Sequence, residues 1–222
     1  MADWEVRPDH ASDAEQVRSF HEENRAAWNQ GARTYSEALD EAVEFLRAGG
    51  SALHPVERAN LGDLRSWCHS AVHLQCASGK DTLSLWVEGV EQVAGVDISD
   101  VHIANARRLG EAVGCQSARW YRCDVLDTPH ELDGTADLVY SGRGAIVWVH
   151  DLDAWMAVAA RVLRPGGVLH LLEDHPVVWL FDEDADHLEV VQDIDLLGTT
   201  IDSRGWPEQY IGSLGMPAER HA

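Results

Sequence analysis

The stretch that decides the fold is AVHLQCASGKDTLSLWVEGVEQVAGVDIS, which spans residues 71–99. It opens with a short apolar strand pattern (71–76), continues through a loop of small residues into a helix-like segment (82–89), and closes with a second strand pattern (93–98). Two strands separated by a helix are typical of a right-handed βαβ unit, in which the strands run parallel. We therefore expect a parallel sheet to begin at residue 71.

The same alternation of strands and helices continues beyond this unit. Apolar and helical patterns predict strands at 118–125, 136–141 and 168–173, helices at 99–114 and 151–163, and a turn at the RPGG of residues 164–167. Gly114 is expected to end the first of these helices, since glycine commonly follows a helix C-terminus. The predicted fold class is α/β, with a doubly wound, mostly parallel, Rossmann-like sheet.

The residues before the sheet are predicted to form a helical cap. Apolar side chains fall at helical spacing over residues 13–48, the pair Gly49–Gly50 stops the second helix, and Pro55 suits the first turn of a short one. We expect one domain with three sections. These are an N-terminal helical cap (1–70), a ligand-binding α/β core (71–175), and a segment that covers an edge of the sheet or one side of the site (176–222).

The charge of the chain limits its partners. Its 222 residues include 38 acidic and only 17 basic ones, a net charge of −21, whereas nucleic-acid affinity depends largely on Lys and Arg at phosphates. We expect no nucleic-acid or membrane partner. A cytoplasmic location is predicted, because the N-terminus lacks a signal-peptide pattern and no run approaches the ~20 apolar residues of a membrane span. The four cysteines form no CxxC pair and no HExxH is present, so no metal site is expected.

Three positions at the predicted strand ends suit a ligand. A loop of small residues (75–79) leads directly into a helix, so a ligand can approach the backbone and the free N–H groups there. Asp97 ends the second strand and can accept both hydroxyl hydrogens of a ribose. Asp124 ends the third, where its carboxylate can accept from an adenine amino group while the Val125 N–H donates to the ring. Each feature alone also fits a tight turn or a helix N-cap, but together, at consecutive strand ends, they indicate a nucleoside site.

The ordered series HLQCASGKDTLSL, GVDIS, RCDVLDTP, DLVYSGRGAIVWVHDLDAW and LRPGG resembles the class I S-adenosylmethionine-dependent methyltransferases. In particular it resembles an actinobacterial small-molecule type whose first motif is HLQC-x-x-G-x-DTLSL. The resemblance covers about residues 24–180. It implies S-adenosylmethionine as cofactor and methyl transfer to O, N or C of a small-molecule acceptor.

The resemblance also implies roles for individual residues. Around the methionine part of the cofactor it places Gln75, Ala77 and Gly79, with Ser141 and Gly142 beneath. Around the nucleoside it places Asp97 at the ribose and Asp124, Ile98 and Val125 at the adenine. Trp28 and Tyr35 belong to an N-terminal segment that resembles one closing over the cofactor, although packing of an amphipathic helix explains them equally well.

The first motif departs from its commonest form at three positions. His73 stands where an acidic residue is usual, and Gln75 and Ala77 stand where glycines are usual. Lys80, beside the loop, is unusual and could accompany the cofactor carboxylate. A dinucleotide dehydrogenase is the natural competitor, but this loop supplies only one glycine of the GxGxxG pattern.

Three residues are candidates for a general base or an acceptor ligand: His54, Glu173 and His175. Many methyltransferases work by positioning alone, so a dedicated base need not exist. Two alternatives to the enzyme stay open. One is a non-catalytic or regulatory protein that binds S-adenosylmethionine or S-adenosylhomocysteine, and the other is a protein that uses the sulfonium for different chemistry.

The end of the sequence raises a question about the sheet. The family's sheet has seven strands, and the residues after position 173 lack a clear helix and two further apolar strands. The fifth strand would then be an exposed edge, which proteins usually avoid. Residues 187–201 could cover it, a second subunit of a homodimer could cover it, or the sequence is truncated.

Overall fold

The computed structural model describes residues 5–8, 13–173, 175, 177, 187 and 199–202. Its main sheet has five strands, which are β2 (Ser70–Leu74), β3 (Gln92–Asp97), β4 (Arg119–Arg122), β5 (Ala136–Gly142) and β6 (Leu163–Leu172). All neighbouring strands run parallel, in the order β4-β3-β2-β5-β6. The predicted parallel α/β sheet is confirmed.

Six helices surround this sheet. They are α1 (Ala14–Glu37), α2 (Leu39–Arg47), α3 (Pro55–Leu61), α4 (Lys80–Val87), α5 (Asp100–Val113) and α6 (Leu152–Val162). The predicted helix ends at Gly49 and Gly114 are present, and both glycines have the positive φ that such ends favour. None of these helices, within the part of the chain that the structure describes, is long and apolar enough to cross a bilayer.

Helices cover both faces of the sheet because its strands are apolar on both sides. On one face, Leu83 and Leu85 of α4 and Leu109 of α5 are buried against the sheet. On the other face, Trp155 and Val158 of α6 are buried against it. Each fully buried side chain of this size stabilises the fold by about 1.5–3 kcal/mol. The resulting core holds the carboxyl ends of the strands in fixed positions relative to one another.

Two local features differ from the sequence expectations. β4 stops at Arg122 instead of 125, because the Asp124 carboxylate accepts from Leu126 N at 2.9 Å and begins a 3-10 helix (Val125–Asp127). The RPGG turn lies inside the bounds of β6. Ala136 pairs with Leu163 and Leu138 with Val168, so residues 164–167 bulge from the strand.

A separate two-stranded sheet joins the two ends of the described chain. β1 (Glu5–Pro8) pairs antiparallel with β7 (Thr199–Asp202). Residues 187–201 were one possible cover for the last strand of the main sheet, but the backbone partners of 199–201 are residues 6–8. Residues 188–198 and most of the predicted C-terminal section lie outside the described residues. Among those described, only β5 pairs with β6.

Candidate ligand site at the carboxyl ends of the strands

The predicted site residues meet at one edge of the sheet. β2, β3 and β4 are neighbours, and the backbone that follows each strand bonds to the next: Cys76 N donates to Val96 O at 2.9 Å, and Cys123 N donates to Asp97 O at 3.1 Å. The strand order reverses between β2 and β5, and ligands of doubly wound sheets bind at such a reversal. The structure thus brings Asp97, Asp124 and the loop after β2 to the same edge.

The loop after β2 turns through left-handed conformations. Gln75 has φ 60°, Ala77 φ 46° and Gly79 φ 80°, so the backbone keeps a shape that glycine adopts most easily, although two of the residues are not glycine. The Gln75 side chain fixes the loop, since its amide donates to Ala145 O at 2.6 Å and accepts from Trp155 Nε1 at 3.1 Å. The loop therefore keeps a left-handed backbone although Gln75 and Ala77 stand where glycines are usual.

Gly79 is required by packing as well as by its backbone angle. A Cβ at this position would lie 2.6 Å from the Trp120 ring. Gly95 in β3 meets the same ring at 2.6 Å. The loop, β3 and β4 therefore approach one another closely around Trp120.

Asp97 is a buried carboxylate that ties the loop to α5. Its two oxygens accept from Ala77 N and from Ser99 N, each at 2.8 Å. Burial raises the pKa of Asp97 to about 6, and the two N–H donors act in the opposite direction. Ser99 itself caps α5, accepting from His102 N at 3.1 Å. Each Asp97 oxygen keeps a second lone pair with which it can accept from a ligand hydroxyl.

Asp124 is held by α1 as well as by its own 3-10 helix. His21 Nε2 accepts from His150 N, so its Nδ1–H donates to Asp124 Oδ2, at 2.7 Å. Arg18 lies 3.0 Å from the same oxygen. Burial acts to raise the pKa of Asp124, but the bonds from His21 and Leu126 N outweigh it and hold the pKa below its usual value. The oxygen expected to face adenine is thus engaged by α1.

α1 lies across the strand ends. The Trp28 ring lies 5.7 Å from the His102 ring and 5.3 Å from that of Trp148, and Tyr35 lies 5.1 Å from His102. Asn29 accepts from Ser99 Oγ at 2.7 Å. The segment that carries Trp28 and Tyr35 therefore covers the edge of the sheet at which Asp97 and Asp124 meet.

The end of β5 supplies the other side of the site. Ser141 is fully buried and its Oγ has no hydrogen-bond partner. A Cβ on Gly142 would lie 3.2 Å from Leu172 O and 3.3 Å from Glu57 Oε1, which leaves no ordinary room for a larger residue. Ile98 is half-buried and Val125 is buried, both near the ends of their strands.

The three candidates for a general base lie in different settings. Glu173 accepts three backbone N–H groups, from Gly144, Ala145 and Ile146, at 2.7–3.1 Å. His54 is exposed and caps α3, with Nδ1 accepting from Val56 N. His175 is exposed and its Nδ1 accepts from Val177 N. The structure does not bring these three side chains into contact.

The core of the chain matches a known family. Residues 71–167 match the family model described as a methyltransferase domain. The match covers less than half of the chain and shows that its core is similar to methyltransferase domains. Among curated proteins, none matches the sequence significantly.

Solved structures with similar folds include S-adenosylmethionine-dependent methyltransferases. An inferred S-adenosyl-L-methionine-dependent methyltransferase from Methanococcus maripaludis is 16% identical, with a TM-score of 0.53, over 65% of this chain and 63% of that chain. An S-adenosylmethionine-dependent methyltransferase from Mesorhizobium loti is 25% identical, with a TM-score of 0.49, over 65% of this chain and 58% of that chain. The similarity to the Methanococcus maripaludis protein shows that the two chains share a fold. The chain spans less than two thirds of the length of either protein.

Several polar residues of the α/β core and the N-terminal cap were missed by the sequence analysis. His21 lies seven and fourteen residues before Trp28 and Tyr35, a spacing that places all three on one helix face and could have revealed it. Asp81 and Arg143 form an ion pair across the site. Nothing local in the sequence indicates this pair, since 62 positions separate its members.

A buried polar row lies beneath the end of β5. Glu57 of α3 is fully buried and accepts from Tyr140 OH at 2.6 Å and from His54 N at 2.7 Å. The Tyr140 ring lies 4.6 Å from His73 and 5.8 Å from His170, on the neighbouring strands. This row fastens α3 to the α/β core, so the N-terminal cap is positioned by polar as well as apolar contacts.

Proposed function

We propose that this protein transfers the methyl group of S-adenosylmethionine to a small-molecule acceptor. One observation carries the proposal: the buried Asp97 carboxylate lies at a strand end of a methyltransferase domain, bonded to a left-handed loop that lets a ligand reach the backbone. One further feature fits the cofactor, namely the buried and unpartnered Ser141 Oγ.

The proposal assigns the cofactor to residues from four strand ends and the cap. Asp97 accepts from the ribose hydroxyls, and Asp124 and the Val125 N–H read the adenine beside Ile98. The methionine part lies between the loop after β2 and the end of β5. The assigned residues are Trp28, Tyr35, Gln75, Ala77, Gly79, Asp97, Ile98, Asp124, Val125, Ser141 and Gly142.

Methyl transfer requires the protein mainly to position the acceptor and to exclude water. Bound S-adenosylmethionine supplies a methyl group on a sulfonium, which an acceptor atom displaces in line. α1 covers the strand ends and shields them from solvent, and holding the acceptor near the methyl group supplies much of the rate gain. Glu173 fixes the loop at 144–146 through its three N–H bonds. His54 and His175, with exposed imidazoles, are then the candidates for a base where an acceptor requires one.

The charge of the chain supports the class of acceptor. A net charge of −21 opposes a phosphate backbone and favours a small acceptor. We also propose that the protein is cytoplasmic and forms a homodimer. The HLQC sequence at residues 73–76 further suggests the actinobacterial small-molecule type of methyltransferase.

The second candidate function is a regulatory protein that binds the cofactor without turnover. It is favoured by one observation, that all three candidate bases already accept hydrogen bonds from backbone N–H groups. A screen of small-molecule acceptors that measures S-adenosylhomocysteine release separates the two. We expect release that depends on one acceptor class and is lost without it. Tight cofactor binding with no release for any acceptor class would favour the binder.

A further inference from the structure

An ion pair spans the gap at the reversal of the strand order. Asp81 lies in the first turn of α4, just after the loop that follows β2, and Arg143 lies just after Gly142 at the end of β5. The Arg143 guanidinium pairs with Asp81 Oδ2, and the two side chains are 43% and 21% exposed. Arg143 has φ 60°, a left-handed conformation that is uncommon for a residue with a side chain. The pair therefore joins the two segments assigned to the methionine part of the cofactor.

Both members of the pair keep unused hydrogen-bonding capacity. Asp81 Oδ1 is buried and has no hydrogen-bond partner, and an unsatisfied buried acceptor is costly. Arg143 carries five N–H donors, of which a single ion pair uses only part. An arriving ligand can thus bond to Asp81 without first displacing another donor from Oδ1.

We propose that Asp81 and Arg143 bind the amino-acid end of S-adenosylmethionine, with Asp81 receiving its ammonium and Arg143 its carboxylate. This inference rests on the proposed function and deepens it. The amino-acid end is a zwitterion, so a carboxylate beside a guanidinium matches both of its charges. The ion pair holds the two side chains next to each other in the free protein.

Neighbouring charged groups do not offer the same arrangement. The Lys80 ammonium lies over the Phe45 ring, 4.6 Å from its centroid, and is directed to α2. His73 stands where the family usually has an acidic residue, but burial, aided by the charge of Arg143, lowers its pKa to about 3. It is therefore neutral at pH 7, and its Nδ1 bonds to Thr82 Oγ1 at 2.8 Å. Asp81 supplies the negative charge that His73 lacks.

The test uses three nucleosides that share the 5′-thioadenosine part and differ in the group carried on sulfur. S-adenosylhomocysteine carries both the ammonium and the carboxylate, its decarboxylated form carries only the ammonium, and 5′-methylthioadenosine carries neither. Affinities for the full-length protein are measured by calorimetry, with weak ligands measured by displacement of S-adenosylhomocysteine. The variants are Asp81→Asn, Arg143→Gln and, as the matched control at the same helix start, Lys80→Gln.

We expect Asp81→Asn to weaken the two ammonium-bearing ligands by about tenfold or more, since each loses a charged hydrogen bond, and to leave 5′-methylthioadenosine within about twofold. Arg143→Gln should weaken only S-adenosylhomocysteine, and Lys80→Gln should weaken none. Equal losses for all three ligands, or no loss in either variant, would overturn the inference. Arg143→Gln tests it independently if Asp81→Asn does not fold. Failure of the unaltered protein to bind S-adenosylhomocysteine would instead contradict the proposed function.

Discussion

At the scale of single residues, the loop after β2 shows how the chain keeps a ligand-binding shape without the usual glycines. Gln75 and Ala77 both have positive φ, which costs a residue with a Cβ about 1–2 kcal/mol. Gln75 offsets this cost through the two hydrogen bonds of its amide. Ala77 has no such side chain, and the bond from its N–H to Asp97 offsets part of its strain.

Relief of this strain is measurable at Ala77. We expect Ala77→Gly to raise the free energy of unfolding by about 0.5–1 kcal/mol, because glycine adopts the left-handed conformation without a steric cost, less its greater freedom in the unfolded chain. Urea denaturation measures the change. Ala104→Gly, at an exposed position inside α5, is the matched control and should lower stability by about 1 kcal/mol. A loss of stability in Ala77→Gly as large as that in the control would contradict the account.

The raised pKa of Asp97 predicts a pH dependence of cofactor binding. Burial raises this pKa to about 6, so the carboxylate is mostly ionised at pH 7 and mostly protonated at pH 5. Only the ionised form can accept from both ribose hydroxyls. Because the competent fraction falls with protonation, affinity for S-adenosylhomocysteine should drop about tenfold from pH 7 to pH 5. Calorimetry at both values measures it, and a flat profile would refute the ribose contact.

At the scale of elements, α1 is attached to the sheet by a contact with a buried carboxylate. The Asp124 side chain is 9% exposed and receives His21 and Arg18 of α1, whereas Asp127 is 57% exposed and shares only Arg18. Because both aspartates contact Arg18 of α1, substituting each in turn gives a matched comparison. The sequence predicted α1 as a helix from its apolar spacing, but the spacing alone does not say which carboxylate the helix meets.

Removal of the buried carboxylate should cost more than removal of the exposed one. We expect Asp124→Ala to lower the free energy of unfolding by about 2 kcal/mol, because it leaves the His21 Nδ1–H without its acceptor. Asp127→Ala should cost less than about 1 kcal/mol, as surface ion pairs do. Chemical denaturation compares the two variants. Equal costs would show that α1 is held mainly by other contacts.

A substitution of Glu173 tests the role of the loop after β5. If its role is to hold residues 144–146, Glu173→Gln removes charged acceptors from three N–H groups. We expect S-adenosylhomocysteine affinity to fall about fivefold or more, since Ala145 also binds Gln75 of the cofactor loop. Binding and turnover should then decline together. Unchanged binding with a loss of turnover and an altered pH–rate profile would assign Glu173 as the base.

At the scale of the whole molecule, the alternating pattern of the sequence was sufficient to predict the parallel sheet and the meeting of three strand ends. Strand ends of a parallel sheet share one edge, so Asp97 and Asp124 were found from local patterns alone. Contacts between distant segments were not predictable in this way. The pairs His21–Asp124 and Asp81–Arg143 join residues 103 and 62 positions apart, and β1–β7 joins opposite parts of the chain. Periodicity describes one element at a time and does not select its partner.

The central claim is that these strand ends form a site for the nucleoside of S-adenosylmethionine. Calorimetric titration of the full-length, folded protein with S-adenosylhomocysteine tests it most directly, with Asp97→Ala as the variant and Asp133→Ala, at a remote surface ion pair with Arg161, as the control. We predict saturable one-to-one binding that Asp97→Ala weakens at least about tenfold and that the control leaves unchanged. Absence of binding by the folded protein, or equal affinity in all three proteins, would contradict the claim.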